Sequence, residues 1–327
     1  MASLRASLSE FGWRRLVFSL VVLVTLGLFG FVGVVLLQPD LIIGLLGREM
    51  AGHISQHFRS PHHRIHDLTF SFLVGTALVG MLVQLRSPSK NVAGQLMSLI
   101  PWVVLVLVFA LTNTWVFAPL PIFAGLTLLA TILHPAGRDL FGSLSVSRVN
   151  RVMLALVIIA AVPLFSFAST NIGLQRAVTD EHAALGHYAF MAAFSFTVVG
   201  VGLLATLRPD GWRVTAWVAG FLPALLGLAS VVFPDVGSSL GLVWTLAAIA
   251  WGVVFVAAAE LTTRATEEPH RADPPPYPDT RDDTRVRPNR GSTTSTPRWV
   301  KVFGIITLVL VLLFVILHLT GGGLGGH

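Results

Sequence analysis

The sequence predicts an all-α, polytopic integral membrane protein with about nine transmembrane helices. Of the 327 residues, 54% are hydrophobic and only 12% are charged, and the mean hydropathy is +0.77. A soluble domain carries roughly 25% charged residues. The chain also has no cysteine, which excludes a disulfide scaffold, thiolate metal sites and iron–sulfur clusters. The composition therefore excludes an ordinary soluble globular protein.

Apolar runs long enough to cross a bilayer recur along the chain, since a spanning helix needs about 20 mostly apolar residues. The first run is long and is followed by Gln38-Pro39-Asp40, which indicates a retained helix rather than a signal peptide. The fourth run is short and begins with two prolines, so it is the weakest as an independent span. The nine predicted spans are residues 16–37, 67–85, 96–114, 119–134, 152–169, 186–207, 214–233, 239–259 and 300–319.

Basic residues concentrate in every second connection between these runs. Cytoplasmic connections of membrane proteins are enriched in Lys and Arg, so the basic connections predict the inner side. The distribution predicts a multi-pass protein of the cell membrane with its N-terminus in the cytoplasm and its C-terminus outside. The pI near 10.9 then reflects orientation in the lipid bilayer and no nucleic-acid partner. Of the 22 Lys and Arg residues, the predicted outer side holds Arg48, Arg59, Arg64 and Arg176.

Two parts of the chain resemble each other. Leu85-Arg86-Ser87-Pro88 matches Leu207-Arg208-Pro209-Asp210 at an offset of 122 residues, and Pro101 matches Pro223 at the same offset. The matches predict two parallel four-helix units, residues 1–134 and 135–260. Both units would have the same orientation because each contains an even number of helices. The alternative is chance identity between helices rich in Leu, Val and Gly.

The composition changes after the second unit. Residues 261–299 are rich in Pro, Arg, Asp and Thr, which predicts a disordered cytoplasmic linker. Residues 300–320 form the predicted ninth helix, and residues 321–327 form a flexible, Gly-rich outer tail. A helix on such a tether is suited to contact another membrane protein.

Histidine is the chemically distinctive residue of this chain, with eleven copies. Most of them fall in two predicted outer connections, one of them the loop at about 38–66. Neutral imidazoles bind Zn, Cu and haem iron, and carboxylates complete or orient such sites. Histidines four apart also share one face of a helix. The candidate metal ligands are His62, His63, His66, His182 and His187, with His53, His57, Asp67 and Glu181 as secondary candidates.

Three functions fit these features. The first is a non-enzymatic bundle whose His-rich outer mouth binds a metal, cofactor or small solute in transport or sensing. The second is a membrane redox protein with haem or copper, and the third is a scaffold or assembly subunit. Copper or zinc is favoured over haem, because Pro61 and a polar run separate His53 from His66. Histidines that are only solvated or that respond to pH are further alternatives.

Motifs of soluble enzymes do not occur: the sequence has no Walker loop, no GxSxG and no HExxH. The sequence therefore predicts no catalytic residue. Asn113 is expected to form a hydrogen bond between helices. The glycines at 27, 30 and 33, and the pair Thr76 and Gly80, are expected to let helices approach closely. His134, which precedes a proline, is expected at a helix end.

Overall fold

Helices dominate the described part of the chain, which contains no strand. The structure is a computed structural model that describes residues 2–37, 63–115, 119–137, 139–236 and 238–267. Most of the predicted linker 261–299, the predicted ninth helix 300–320 and the predicted tail 321–327 lie outside these residues. Most of the predicted outer loop, with His53, His57 and His62, also lies outside them.

Ten α-helices occur in the described residues. Three short 3₁₀ turns accompany them, at Val83–Leu85, Pro88–Lys90 and Val146–Arg148. The α-helices are α1 (Ala2–Leu37), α2 (Arg64–Leu82), α3 (Val92–Thr112), α4 (Leu120–Leu133), α5 (Asp139–Gly142), α6 (Arg151–Ala177), α7 (Glu181–Ala184), α8 (His187–Thr206), α9 (Trp212–Val232) and α10 (Leu242–Glu267).

Seven of these helices are long and apolar enough to cross a membrane: α1, α2, α3, α6, α8, α9 and α10. The eighth apolar helix, α4, has only 14 residues, in keeping with the short fourth run of the sequence. An all-helical fold with several apolar spans is thus confirmed, and the count of nine stays a prediction. The chain up to Leu261 forms one compact unit, which contains every site described below.

The helix α6 continues to Ala177, past the predicted end at residue 169. Asn171 and Gln175 therefore lie within the helix, whereas the predicted span 152–169 ends before them. The Asn171 side chain donates a hydrogen bond to the Phe167 carbonyl at 2.9 Å, which is compatible with the helix continuing. The helix ends where Val178 takes an extended conformation.

The first four helices form a closed ring, in which α1 packs on α2, α2 on α3, α3 on α4 and α4 on α1. At the end where α2 finishes, buried polar groups join this ring. His134 caps α4, as expected, and its Nε2 lies 3.2 Å from Gln84 Oε1. The Gln95 amide donates to Thr131 Oγ1 at 2.9 Å. We call this end of the bundle the glutamine end. The opposite end, where α2 begins, is called the histidine end.

A second ring contains α6, α8, α9 and α10. Helix α8 packs on both α6 and α9. Trp251 of α10 donates to the Leu156 carbonyl of α6 at 2.8 Å, and Arg213 of α9 pairs with Glu260 of α10. Trp217 donates to the same carboxylate at 2.9 Å. Because α8 also packs on α2 and α3, it joins the two rings and is the most buried of the seven long helices in the described residues.

Close helix approach occurs at Gly80 of α2. A Cβ atom there would overlap the Gly94 carbonyl of α3 and would lie 2.8 Å from Ser98 Cβ. By contrast, a Cβ atom at 27, 30 or 33 would meet no atom within 4 Å among the described residues. The expectation of close packing is therefore confirmed for Gly80, whereas no described residue packs closely on the α1 glycines, since spacing along a helix does not say which face meets a neighbour.

Asn113 has a different role from the one that the sequence suggested. Its side chain is exposed, and its backbone is left-handed with φ of 53°, which ends α3. Asparagine tolerates this conformation better than most residues do. The expected hydrogen bond between helices is wrong here, because the residue lies just beyond the packed part of α3.

Candidate metal centre

Four histidines gather at the histidine end of the bundle. His63 and His66 lie at the start of α2, His182 lies on the short helix α7, and His187 begins α8. In five of the six pairs, all but His63 with His66, the ring centroids lie between 4.7 and 5.4 Å apart. His63, His66 and His187 are at most 3% exposed. The fold therefore holds four imidazoles in one cluster, in which three are buried and His182 is partly exposed.

Three of the four histidines direct ring nitrogens at a common point. The Nδ1 atom of His187 lies 3.3 Å from His63 Nδ1 and 3.1 Å from His182 Nδ1. The ligand atoms of the three residues all lie within 4.8 Å of one another. Two nitrogens bound tetrahedrally to zinc at about 2.0–2.1 Å would be about 3.4 Å apart. The two separations from His187 Nδ1, 3.3 and 3.1 Å, thus match the spacing that one small ion requires.

This arrangement is less well suited to hydrogen bonds alone. A ring nitrogen carries either one proton or one lone pair, so His187 Nδ1 makes only one good bond at a time. Both His63 Nδ1 and His182 Nδ1 lie within bonding distance of it. A metal ion accepts three lone pairs at once, so it would satisfy all three nitrogens together.

The remaining polar groups of the cluster surround these three nitrogens. Glu181 Oε1 lies 3.5 Å from His63 Nε2, on the side of the ring opposite Nδ1. A carboxylate in that position orients a metal-bound imidazole and raises its basicity. His66 Nε2 lies 2.6 Å from Ser238 Oγ, and the His66 ring stacks on His187 at 4.8 Å. His66 therefore supports the cluster from the side and adds a fourth imidazole.

The turn between α7 and α8 brings His182 and His187 together. Gly186 has φ of 75°, a conformation that favours glycine. At the start of α7, Asp180 accepts a hydrogen bond from the Ala183 N–H at 2.8 Å and another from Tyr188 Oη at 2.8 Å. The Ala183 bond is the main reason that the pKa of Asp180 lies below its usual range. An ionised Asp180 thus holds both helices of the turn.

Gln175 joins the same turn to α6. Its amide donates to the Ala183 carbonyl at 2.7 Å, and its Oε1 accepts from the Ala189 N–H at 3.1 Å. The first bond satisfies the end of α7 and the second satisfies the start of α8. The side chain is 8% exposed, so water replaces neither bond easily. Gln175 therefore sets the position of α7 relative to α8.

Gln175→Leu is expected to lower the free energy of unfolding by about 1–3 kcal/mol, because it leaves two buried backbone groups without their partner. The same change is expected to loosen the spacing of His182 and His187. Thermal unfolding in detergent measures the first effect. Leu174→Gln, at an exposed position one residue earlier, is the control, and equal stability of Gln175→Leu and the unmodified protein would contradict the role given to Gln175.

The structure brings together four of the five primary candidates, namely His63, His66, His182 and His187, and the secondary candidate Glu181. Asp67 lies in the first turn of α2, where its carbonyl accepts from Ser71 Oγ at 2.8 Å. His53, His57 and His62 lie outside the described residues. Sequence reasoning missed Gln175 as a support of the site and missed Ser238, for which no signal existed because its loop is remote in the chain.

The fold and the cluster fit one class, a multi-pass helical membrane protein with a polar, imidazole-lined site at one end of the bundle. The chain matches no known protein family, no curated protein and no solved structure.

Proposed function

We propose that this protein binds one zinc or copper ion through His63, His182 and His187, and uses the site in metal transport or sensing at the membrane. The observation that supports the proposal is the convergence of three ring nitrogens within 4.8 Å. Neutral imidazole is a preferred ligand of both metals. Three protein ligands leave a fourth position open for water, a solute or another ligand.

The cluster favours an ion over haem. An iron porphyrin places its planar ring between two axial histidines, or beside one. The His66 and His187 rings stack directly on each other at 4.8 Å. His182 lies against both of these rings, and His63 lies against His187 and His182. A macrocycle would have to separate these rings, whereas a single ion fits between the nitrogens as they stand.

The proposal extends to orientation and organisation. With the basic connections in the cytoplasm, the histidine end faces outward from the cell membrane. We also propose that the two helix rings are the predicted duplicated units. Asn91 and Gln95, which lie at the glutamine end of the first ring, are offset by 122 residues from Arg213 and Trp217, which lie in the corresponding place in the second. Contact with a partner through residues 300–320 stays a prediction.

Metal loading of the purified protein tests the function. The protein, tagged without histidine, is stripped with a chelator in mild detergent and then titrated with Zn²⁺ or Cu²⁺. We expect one ion per chain by inductively coupled plasma mass spectrometry after gel filtration. A preparation that retains no more metal than the buffer control would overturn the proposal. An intense Soret band from the protein as isolated would replace the ion with haem.

Glu181→Gln is expected to weaken metal binding by roughly tenfold, the lower end of the range for groups that orient a ligand. The lower end applies because the Glu181 side chain is 72% exposed and solvent screens it. Competition against a chromophoric chelator measures the affinity. Asp139→Asn removes an exposed carboxylate near the other end of the bundle and serves as the matched control. Equal affinities for both variants would contradict the orienting role.

A further inference from the structure

A second polar site lies at the other end of the molecule. An open cleft of about 790 Å³ is formed where three connecting segments meet: the turn Pro88–Lys90, the turn Val146–Arg148 and the connection between α8 and α9. Each segment contributes one cation, Lys90, Arg148 and Arg208. One carboxylate, Asp210, also lines the cleft, so its ionisable lining carries a surplus of positive charge.

The lone carboxylate does not neutralise the cleft. Asp210 lies 4.0 Å from Arg148, and both side chains are about 60% exposed. An exposed pair at that distance interacts weakly because solvent screens it. Arg148 therefore keeps hydrogen-bonding capacity for a second acceptor.

Arg208 is held in a position suited to bind an anion. Its guanidinium carbon lies 4.6 Å from the centre of the Trp212 ring. Stacking uses the face of a guanidinium, whereas its N–H donors lie in the plane and stay available for planar or tetrahedral oxyanions. The backbone of Arg208 is left-handed, with φ of 52°, a conformation unusual for arginine.

The walls of the cleft are fixed by backbone contacts. The Ala93 N–H donates to the Asp210 carbonyl at 2.9 Å, and the Asn150 N–H donates to the Thr206 carbonyl at 2.9 Å. Gly211, with φ of 84°, lies so close to Asn91 that a Cβ atom would be 2.9 Å from Asn91 Cα. The three segments are therefore held together before any ligand arrives, which lowers the entropic cost of binding.

From these observations we propose that the cleft binds a phosphate-bearing anion through Lys90, Arg148 and Arg208. Arginine and lysine together supply bidentate and point-charge contacts to phosphate oxygens. The cleft opens where α8 ends and α9 begins, which is the level of the lipid headgroups if these helices span a bilayer. The phosphate could therefore belong to an anionic lipid or to a soluble compound.

One experiment with two arms distinguishes a lipid phosphate from a soluble phosphate compound as the ligand of the cleft. The full-length protein in neutral detergent receives either phosphatidylglycerol or inorganic phosphate, with phosphatidylcholine as the reference lipid. Native mass spectrometry counts bound lipid, and the thermal midpoint reports binding of either ligand. The cleft variant carries both Lys90→Gln and Arg148→Gln. The control variant carries both Arg14→Gln and Arg176→Gln, which remove the same charge at two exposed positions outside the cleft.

We expect the cleft variant to lose roughly fivefold in affinity for each removed cation, and the control variant to bind like the unmodified protein. If only phosphatidylglycerol gives that pattern, the ligand of the cleft is an anionic lipid. If inorganic phosphate gives it as well, the ligand is a soluble phosphate compound. Equal losses in both variants, or no binding of either ligand, would overturn the proposal. Lys90→Gln alone, at an exposed position, provides the same comparison if the double variant does not fold.

Discussion

Replacing His187 by alanine is expected to weaken zinc or copper binding by at least about 100-fold, more than any other single change at the cluster. His187 Nδ1 is the shared nitrogen, at 3.3 Å from His63 Nδ1 and 3.1 Å from His182 Nδ1. Without it, only two imidazoles remain at the proposed ion, and their nitrogens have no third partner between them. An ion at a concentration of 100 times its Kd stabilises the folded protein by about 2.7 kcal/mol, and the His187→Ala protein would lose this stabilisation.

The measurement is metal content together with the rise of the thermal midpoint on adding Zn²⁺. His134→Ala is the matched control, because His134 is also a buried histidine and lies at the glutamine end. It is expected to cost stability while keeping one ion per chain. A His187→Ala protein that still binds one ion with unchanged affinity would refute the three-histidine site.

The second large effect is expected at Gly80. Gly80→Ala places a methyl group against the Gly94 carbonyl and 2.8 Å from Ser98 Cβ, so α2 and α3 must separate. Overpacking of this kind costs about 1–3 kcal/mol, and a larger side chain such as leucine costs more because the obstacle is backbone. The thermal midpoint in detergent is therefore expected to fall with Gly80→Ala and to fall further with Gly80→Leu.

Gly75→Ala on the same helix is the matched control. A Cβ atom there would meet no atom within 4 Å in the described part of the chain, so the substitution adds only the higher helix propensity of alanine, worth about 1 kcal/mol. The two variants make the same chemical change five residues apart and are expected to shift the midpoint in opposite directions. A Gly80→Ala protein as stable as Gly75→Ala would show that the two helices do not cross at Gly80.

Hydropathy alone located the eight apolar helices of the described residues, including the short α4. This worked because a helix in lipid satisfies its own backbone hydrogen bonds and needs a continuous apolar surface, which is a local property. Helix ends were less predictable. Helix α6 keeps Asn171 and Gln175 within it, because the Gln175 side chain satisfies two neighbouring turns, and that partnership is not local.

The sequence by itself determined the all-helical membrane class and the histidines as the candidate ligands, since both follow from residue type and local spacing. Only the tertiary structure decided that His63, His182 and His187 share one point while Ser238 contacts His66 from 172 residues away. It likewise decided that Gly80 meets α3 and that three cations of separate turns line one cleft. Such contacts depend on the rotation and packing of whole helices, and local periodicity does not specify these to within a bond length.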